Sequence, residues 1–238
     1  MTIKQISMGN GHHVMMDSDA YPNLTLDWFD PAYWESQNAV TGQAKGRGTT
    51  LFVKANNDTL VLRHYQRGGL PGKVLSDQYL FAGLEKTRPF REFRLLKAMR
   101  QRDLLVPQPI AVHVKRQGCV YRGDLITAMI PNSEDLHAVL CRQPLSSNQW
   151  YAVGNAVAQM HDAGVYHHDL NVRNVMVDKA QKVWIIDFDR CGFRQGDKWK
   201  SDNIARFLRS LEKEKAKHEQ FFWQKAHWDS FLQGLKGA

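Results

Sequence analysis

Long apolar runs are absent from this chain of 238 residues, although 43% of it is hydrophobic. No stretch approaches the ~20 apolar residues that a membrane-spanning helix needs. Met1–Ala20 holds no apolar run that could act as a signal sequence. Cysteine is scarce. Cys119, Cys141 and Cys191 lie far apart with no metal-like spacing, which argues against a disulfide framework and for a reducing compartment. There is no internal repeat and no low-complexity linker. An acidic excess is missing too: 32 Lys and Arg face 24 Asp and Glu, for a net charge of +8 and a pI of about 9.4. Such a balance favours an anionic partner, whether nucleic acid, acidic lipid surface or acidic substrate, and does not choose among them. It is also compatible with a merely solvated basic face. What the chain does have is aromatic side chains, including seven Trp, and that load argues against disorder.

Met1 to Asn38 is a mixed aromatic-polar lead-in, with Trp28, Phe29, Tyr33 and Trp34 expected to pack on the first half of the protein. Gly42, Gly46 and Gly48 then punctuate a turn, followed by a strand at Thr49–Val53, the turn signal Asn56-Asn57-Asp58 and a returning strand at Thr59–Tyr65. A helix is predicted from Arg88 or Pro89 to Gln101, with Phe90, Phe93, Leu96 and Met99 as its apolar stripe. Two strands follow near Ile110–Lys115 and Val120–Ile130. Ser146 or Ser147 caps a helix reaching about Asp162, and Gly164 suits the left-handed position just past its end. From Ser201 the chain reads as helical and charged.

The densest chemical signal is Tyr166-His167-His168-Asp169-Leu170-Asn171-Val172-Arg173-Asn174, followed by Ile185-Ile186-Asp187-Phe188-Asp189. Asp169 and Asn174 stand five apart, and Asp187 follows thirteen residues later. This is the spacing of a phosphotransferase centre: a base, a metal ligand, and a second metal ligand on the next strand. Val175–Val177 and Val183–Ile186 read as strands of a hairpin turning at Asp178–Gln181, which makes Asn174 and Asp187 neighbours at its open end. Two oxygen donors can then face one Mg²⁺ beside the Asp169 carboxylate. The alternative is a surface hairpin decorated with acids, against which the common register of base, Asn and Asp argues.

Other positions carry a functional reading beside a structural one. Arg63 lies where a kinase carries a Lys that grips the α- and β-phosphates, and Glu92 is its natural carboxylate partner, with Glu85 as the alternative. Either can instead be an ordinary surface charge. Gly46 and Gly48 permit backbone N–H groups to approach phosphate, and equally permit any tight hairpin. His167 is expected to brace the catalytic loop rather than to react. The basic loop from Arg67 to Lys73 fits an anionic acceptor or a plain surface loop. Asp189 caps a turn or contacts metal.

Leu62–Gly69, Arg91–Leu96, His161–Asn171, Asn174, Ile186–Asp189 and Asn203–Ser210 together resemble the lipopolysaccharide kinase branch of the protein-kinase-like superfamily. The resemblance implies an α+β, bilobal protein-kinase-like fold. Residues 1–130 would form a β-rich small lobe with its lead-in, and 131–238 a mainly helical large lobe carrying the catalytic loop. It implies Asp169 as catalytic base, His167 and Asn171 as supporting loop residues, Gly46, Gly48, Arg63 and Glu92 at the nucleotide, and Asn174 and Asp187 as metal ligands. ATP and Mg²⁺ are the implied cofactors. The implied acceptor is a hydroxyl of 3-deoxy-D-manno-octulosonic acid (Kdo) on a lipid A precursor, met at the cytoplasmic face of a Gram-negative inner membrane. Peripheral attachment to anionic lipid is expected there, with no nucleic acid partner. Asn171 replaces the catalytic-loop Lys common in protein kinases, and only the fourteen residues 188–201 separate Asp187 from Asp202, too few for an activation loop, so no protein substrate is expected. A kinase of heptose or another small molecule, and an inactive kinase-fold binding module, remain as alternatives.

Overall fold

The computed structural model describes residues 2–45, 49–67 and 77–237. They fall into two compact units: Met1–Lys97 with Gln108–Met129, and Ala98–Pro107 with Ile130–Ala238. One division between the units falls between Met129 and Ile130. Residues 98–107, however, group with the second unit. Within that unit the Leu105 carbonyl accepts the Ile185 N–H at 3.1 Å, and Leu104 and Val106 are buried.

Unit 1 contains β1 (Ile3–Met8), β2 (His12–Asp17), α1 (Pro31–Ser36), β3 (Val40–Lys45), β4 (Thr49–Ala55), β5 (Asp58–His64), β6 (Tyr79–Leu80), α2 (Arg88–Arg100), β7 (Pro109–Gln117) and β8 (Val120–Ala128). Among the described residues these strands form one antiparallel sheet in the order β1-β2-β7-β8-β5-β4-β3, with β6 also pairing β8. Strand alternation divides β5 between two faces. Leu60 and Leu62 enter a core shared with Phe29, Trp34, Leu51, Val53 and Ile126, while Arg63 points the other way. The lead-in aromatics therefore cover one face of the sheet, with Trp28 and Tyr33 packed against that core. On α2, Phe90, Phe93, Leu96 and Met99 are all buried.

Two features differ from the sequence reading. The lead-in starts with a hairpin, β1–β2, that extends the sheet by pairing β2 with β7. Its first strand has apolar residues at Ile3, Ile6 and Met8, which is not strict alternation, and it is only partly buried. Gly42 belongs to strand β3, at a register irregularity between Val40 and Gly42, and not to a turn. Gly46 and Gly48, like residues 68–73 of the basic loop, lie outside the described residues.

Unit 2 contains β9 (Ser133–Asp135), α3 (Leu136–Arg142), α4 (Ser147–Asp162), β10 (Val165–Tyr166), β11 (Val175–Asp178), β12 (Val183–Ile185), β13 (Gly192–Phe193), α5 (Lys198–Lys217) and α6 (Lys225–Lys236). Ser146 caps α4 through a reciprocal box with Gln149. Gly164 follows that helix at φ +74°, a conformation that favours a residue without Cβ. Helices α4 and α6 touch backbone to backbone: a Cβ on Gly154 would meet the Phe231 carbonyl, and one on Gly234 the Tyr151 carbonyl. Phe207, Leu211, Phe221, Trp223 and Phe231 are buried, so these apolar side chains of the C-terminal region fill the interior of unit 2. Among the described residues no helix is long and apolar enough to cross a membrane.

Candidate active site

The β11–β12 hairpin sets the site. Val175 pairs with Ile185 and Val177 with Val183, and one step beyond the ladder the Ile186 N–H donates to the Asn174 carbonyl at 3.0 Å. Asn174 and Asp187 are thereby brought to the same end of the hairpin, as the spacing predicts. Asp187 takes φ +62°, a left-handed conformation uncommon for a side chain with Cβ and enriched at functional sites.

The loop before the hairpin is tied to itself. Asn171 and Asn174 each donate from Nδ2 to the Asp169 carbonyl at 2.9 Å. Asn171 also accepts the Arg173 N–H at 2.8 Å through Oδ1, so both ends of that side chain are engaged within the loop. Since Nδ2 of Asn174 is committed to the loop, its Oδ1 is the atom left to accept or ligate.

His167 fixes this loop to the hairpin. Its ring is fully buried, at 0% exposure. Nε2 lies 3.0 Å from the Ile186 carbonyl and Nδ1 lies 3.2 Å from the Asp169 N–H. A carbonyl can only accept and an amide N–H only donate, so the hydrogen-bond pattern assigns the proton to Nε2 and leaves Nδ1 as acceptor. Burial pushes the imidazole's pKa down and favours this neutral form. One ring thus holds the backbone of Asp169 and the residue preceding Asp187. Phe188 packs edge-on against it, with centroids 4.9 Å apart.

Helix α5 braces the loop from behind. Asn203, buried at 1% exposure, accepts the His167 N–H at 3.1 Å and donates to the His167 carbonyl at 3.0 Å. The Ser210 hydroxyl accepts the Val172 N–H at 3.1 Å. Arg206, on the same helix, reaches the Asp169 carboxylate with Nη2 at 2.6 Å and Nε at 3.1 Å. Burial raises the Asp169 pKa, but the Arg206 pairing outweighs it and holds the carboxyl below its ordinary value. Asp169 is therefore ionised at neutral pH. Asn203, Arg206 and Ser210 were not assigned roles by the sequence reading. They lie in the matching stretch Asn203–Ser210, yet nothing local to a helix shows which loop it braces.

In unit 1, the Arg63 guanidinium on β5 meets Glu92 on α2 with Nη2–Oε2 at 2.5 Å. The Tyr65 hydroxyl donates to the same carboxylate oxygen at 2.5 Å, and the Arg63 guanidinium also stands 4.9 Å from the Tyr65 ring centroid. Glu92 is buried while Arg63 keeps 25% of its side chain exposed. Glu85 instead pairs with Arg94 at the surface, at 2.6 Å.

Folding also assembles a second set of ligand-type side chains. Ligand atoms of His137, Cys141 and His218 lie within 4.8 Å of one another, although cysteine spacing alone gives no metal signal. The Arg173 guanidinium already stands 2.8 Å from His137 Nε2 and 3.2 Å from Glu214 Oε2. Arg173 thereby ties the loop before the hairpin to His137 on α3 and Glu214 on α5.

This chain has features of a protein-kinase-like phosphotransferase: a strand cation paired to a helix carboxylate in unit 1, and in unit 2 a braced Asp loop beside a hairpin that ends in Asn174 and Asp187. Its family follows from comparison with known proteins: residues 31–234 match the lipopolysaccharide kinase (Kdo/WaaP) family, and the chain belongs to it. A 3-deoxy-D-manno-octulosonic acid kinase of Vibrio vulnificus (strain CMCP6) is 41% identical over 234 residues, 98% of each chain. The enzyme of that name from Vibrio parahaemolyticus serotype O3:K6 is 46% identical over 222 residues, 93% of each chain. That from Photobacterium profundum is 43% identical over 219 residues, 90% of this chain and 92% of the relative.

Proposed function

We propose that this chain is an ATP-dependent kinase that transfers the γ-phosphate to a hydroxyl of the Kdo sugar on a lipid A precursor. The observation that carries the reading is the 46% identity to a 3-deoxy-D-manno-octulosonic acid kinase over 93% of both chains. Asp169, held ionised, accepts the acceptor hydroxyl's proton and aims that oxygen at the γ-phosphorus. Arg63, steadied by Glu92 and Tyr65, grips the α- and β-phosphates with its planar donor fork. Gly46 and Gly48 let backbone N–H groups meet the phosphates. His167 and Asn171 hold the loop and do not react.

Asn174 and Asp187 supply oxygen donors, the set a hard cation such as Mg²⁺ takes. The commitment of Asn174 Nδ2 to the loop, which frees Oδ1, supports that fit. Mg²⁺ held there would offset charge on the transferring phosphoryl group. Residues 1–130 and 131–238 act as small and large lobes in this reading, and no nucleic acid or protein substrate is involved. The net charge of +8 supports peripheral attachment to anionic lipid at the cytoplasmic face of the inner membrane, where the acceptor is embedded. Transfer of labelled γ-phosphate to a Kdo-bearing precursor tests the reading. Transfer to a heptose-bearing core alone would replace the acceptor, and absence of any ATP turnover would leave a binding module.

A further inference from the structure

The Arg206 side chain uses only one edge of its guanidinium on Asp169. Nε and one N–H of Nη2 converge on Oδ1, at 3.1 and 2.6 Å. The opposite edge, made of Nη1 and the second N–H of Nη2, forms no hydrogen bond among the described residues, and the side chain is 45% exposed. That open edge is held in place at both ends, because Asn203 and Ser210 tie the flanking turns of α5 to the catalytic loop. A guanidinium edge of two parallel N–H groups matches the two oxygens of a carboxylate.

The surroundings carry charge of both signs, with Arg190 and Arg206 on one side of the balance and Asp169 and Asp189 on the other. Burial together with the charges of Arg190 and Arg206 pushes the His168 imidazole down, which places both arginines near the residue preceding the base. Asn171, where protein kinases carry a Lys, has both ends of its side chain engaged in the loop and brings no charge. Arg206 is the cation bonded to the base.

We propose that the open edge of Arg206 binds the carboxylate of the acceptor's sugar acid and so sets the acceptor hydroxyl beside Asp169. The assignment rests on the function proposed above and gives the site its preference for an acidic sugar. The oxygens of a nucleotide phosphate have chemistry that fits the same edge, and the experiment separates the two.

The test compares two acceptors, a Kdo-bearing lipid A precursor and the same precursor with its Kdo carboxylate converted to the methyl ester. Wild-type protein, Arg206→Gln and Arg206→Lys are each assayed for kcat/KM on both, and for KM of ATP. The ratio between acceptors within one preparation does not depend on how much of that preparation is folded. Wild-type protein should favour the acid by about tenfold to a hundredfold, the worth of a charge-assisted bidentate contact. Arg206→Gln should bring the two acceptors to about the same kcat/KM, and Arg206→Lys should be intermediate, keeping the charge without the fork. KM for ATP should stay unchanged. A wild-type preference retained in Arg206→Gln overturns the proposal. So does a raised KM for ATP with the acceptor preference intact, which assigns the edge to the nucleotide. Wild-type protein that phosphorylates neither acceptor overturns the functional reading itself, a result distinct from both.

Discussion

The His167 ring donates to the Ile186 carbonyl at 3.0 Å and accepts the Asp169 N–H at 3.2 Å, so one neutral imidazole sets the backbone of Asp169 and of the residue before Asp187 together. Removing it should shift both. His167→Ala should lower turnover roughly 10²-fold, as a misplacement of about 1 Å does. The same variant should raise the Mg²⁺ concentration needed for half-maximal rate. Steady-state kinetics over a Mg²⁺ series checks this, and an unchanged Mg²⁺ requirement would restrict His167 to the base side.

The two carboxylates should separate by kinetic signature. Asp169→Ala should lower turnover by roughly 10²-fold or more, as loss of a positioned base does, with ATP affinity little changed. Asp187→Ala should remove metal-dependent nucleotide binding along with activity. Calorimetric titration of ATP with and without Mg²⁺ distinguishes them. Near-full transfer by Asp169→Ala would reassign the base.

Acid should weaken unit 2 through Glu214. Burial pushes its carboxyl up, but hydrogen bonds from Lys217 and Arg173 outweigh burial and hold it at about 2, against an ordinary value of 4.5. A carboxylate depressed by folding contributes stability that is fully present above its unfolded value and is lost as pH falls through the folded one. The denaturation midpoint should therefore decline between about pH 5 and pH 2, and Glu214→Gln should flatten that decline while lowering stability at neutral pH. An unchanged slope in the variant would contradict the linkage.

Membrane attachment should be electrostatic. With Phe221, Trp223 and Phe231 buried in unit 2, these side chains are not available for insertion, whereas each Lys or Arg near an anionic surface contributes about 1 kcal/mol. Sedimentation with anionic vesicles should show binding that falls steeply as salt rises. Binding indifferent to salt and lipid charge would favour insertion.

The hairpin that brings Asn174 to Asp187 was legible because its strands, its polar turn and its acids share one short stretch of chain. The Arg63–Glu92 pair was legible for a different reason: strand and helix were each readable, and the resemblance named their meeting. The hairpin β1–β2 was hidden by irregular alternation and an edge position, where burial leaves a weak pattern. Arg206 and Asn203 were hidden by distance. Arg206 lies 37 residues from Asp169 in sequence, and its side of α5 is set by tertiary packing. Arg173 illustrates the same limit, since its partners His137 and Glu214 come from two different helices.

The most direct test of the central claim is transfer of labelled γ-phosphate from ATP to matched lipid A precursors with and without Kdo, using wild-type protein and Asp169→Ala. The account predicts Mg²⁺-dependent label on the Kdo-bearing precursor alone, reduced at least about 10²-fold in the variant. Equal labelling of the Kdo-free precursor, or wild-type labelling of neither, would contradict it.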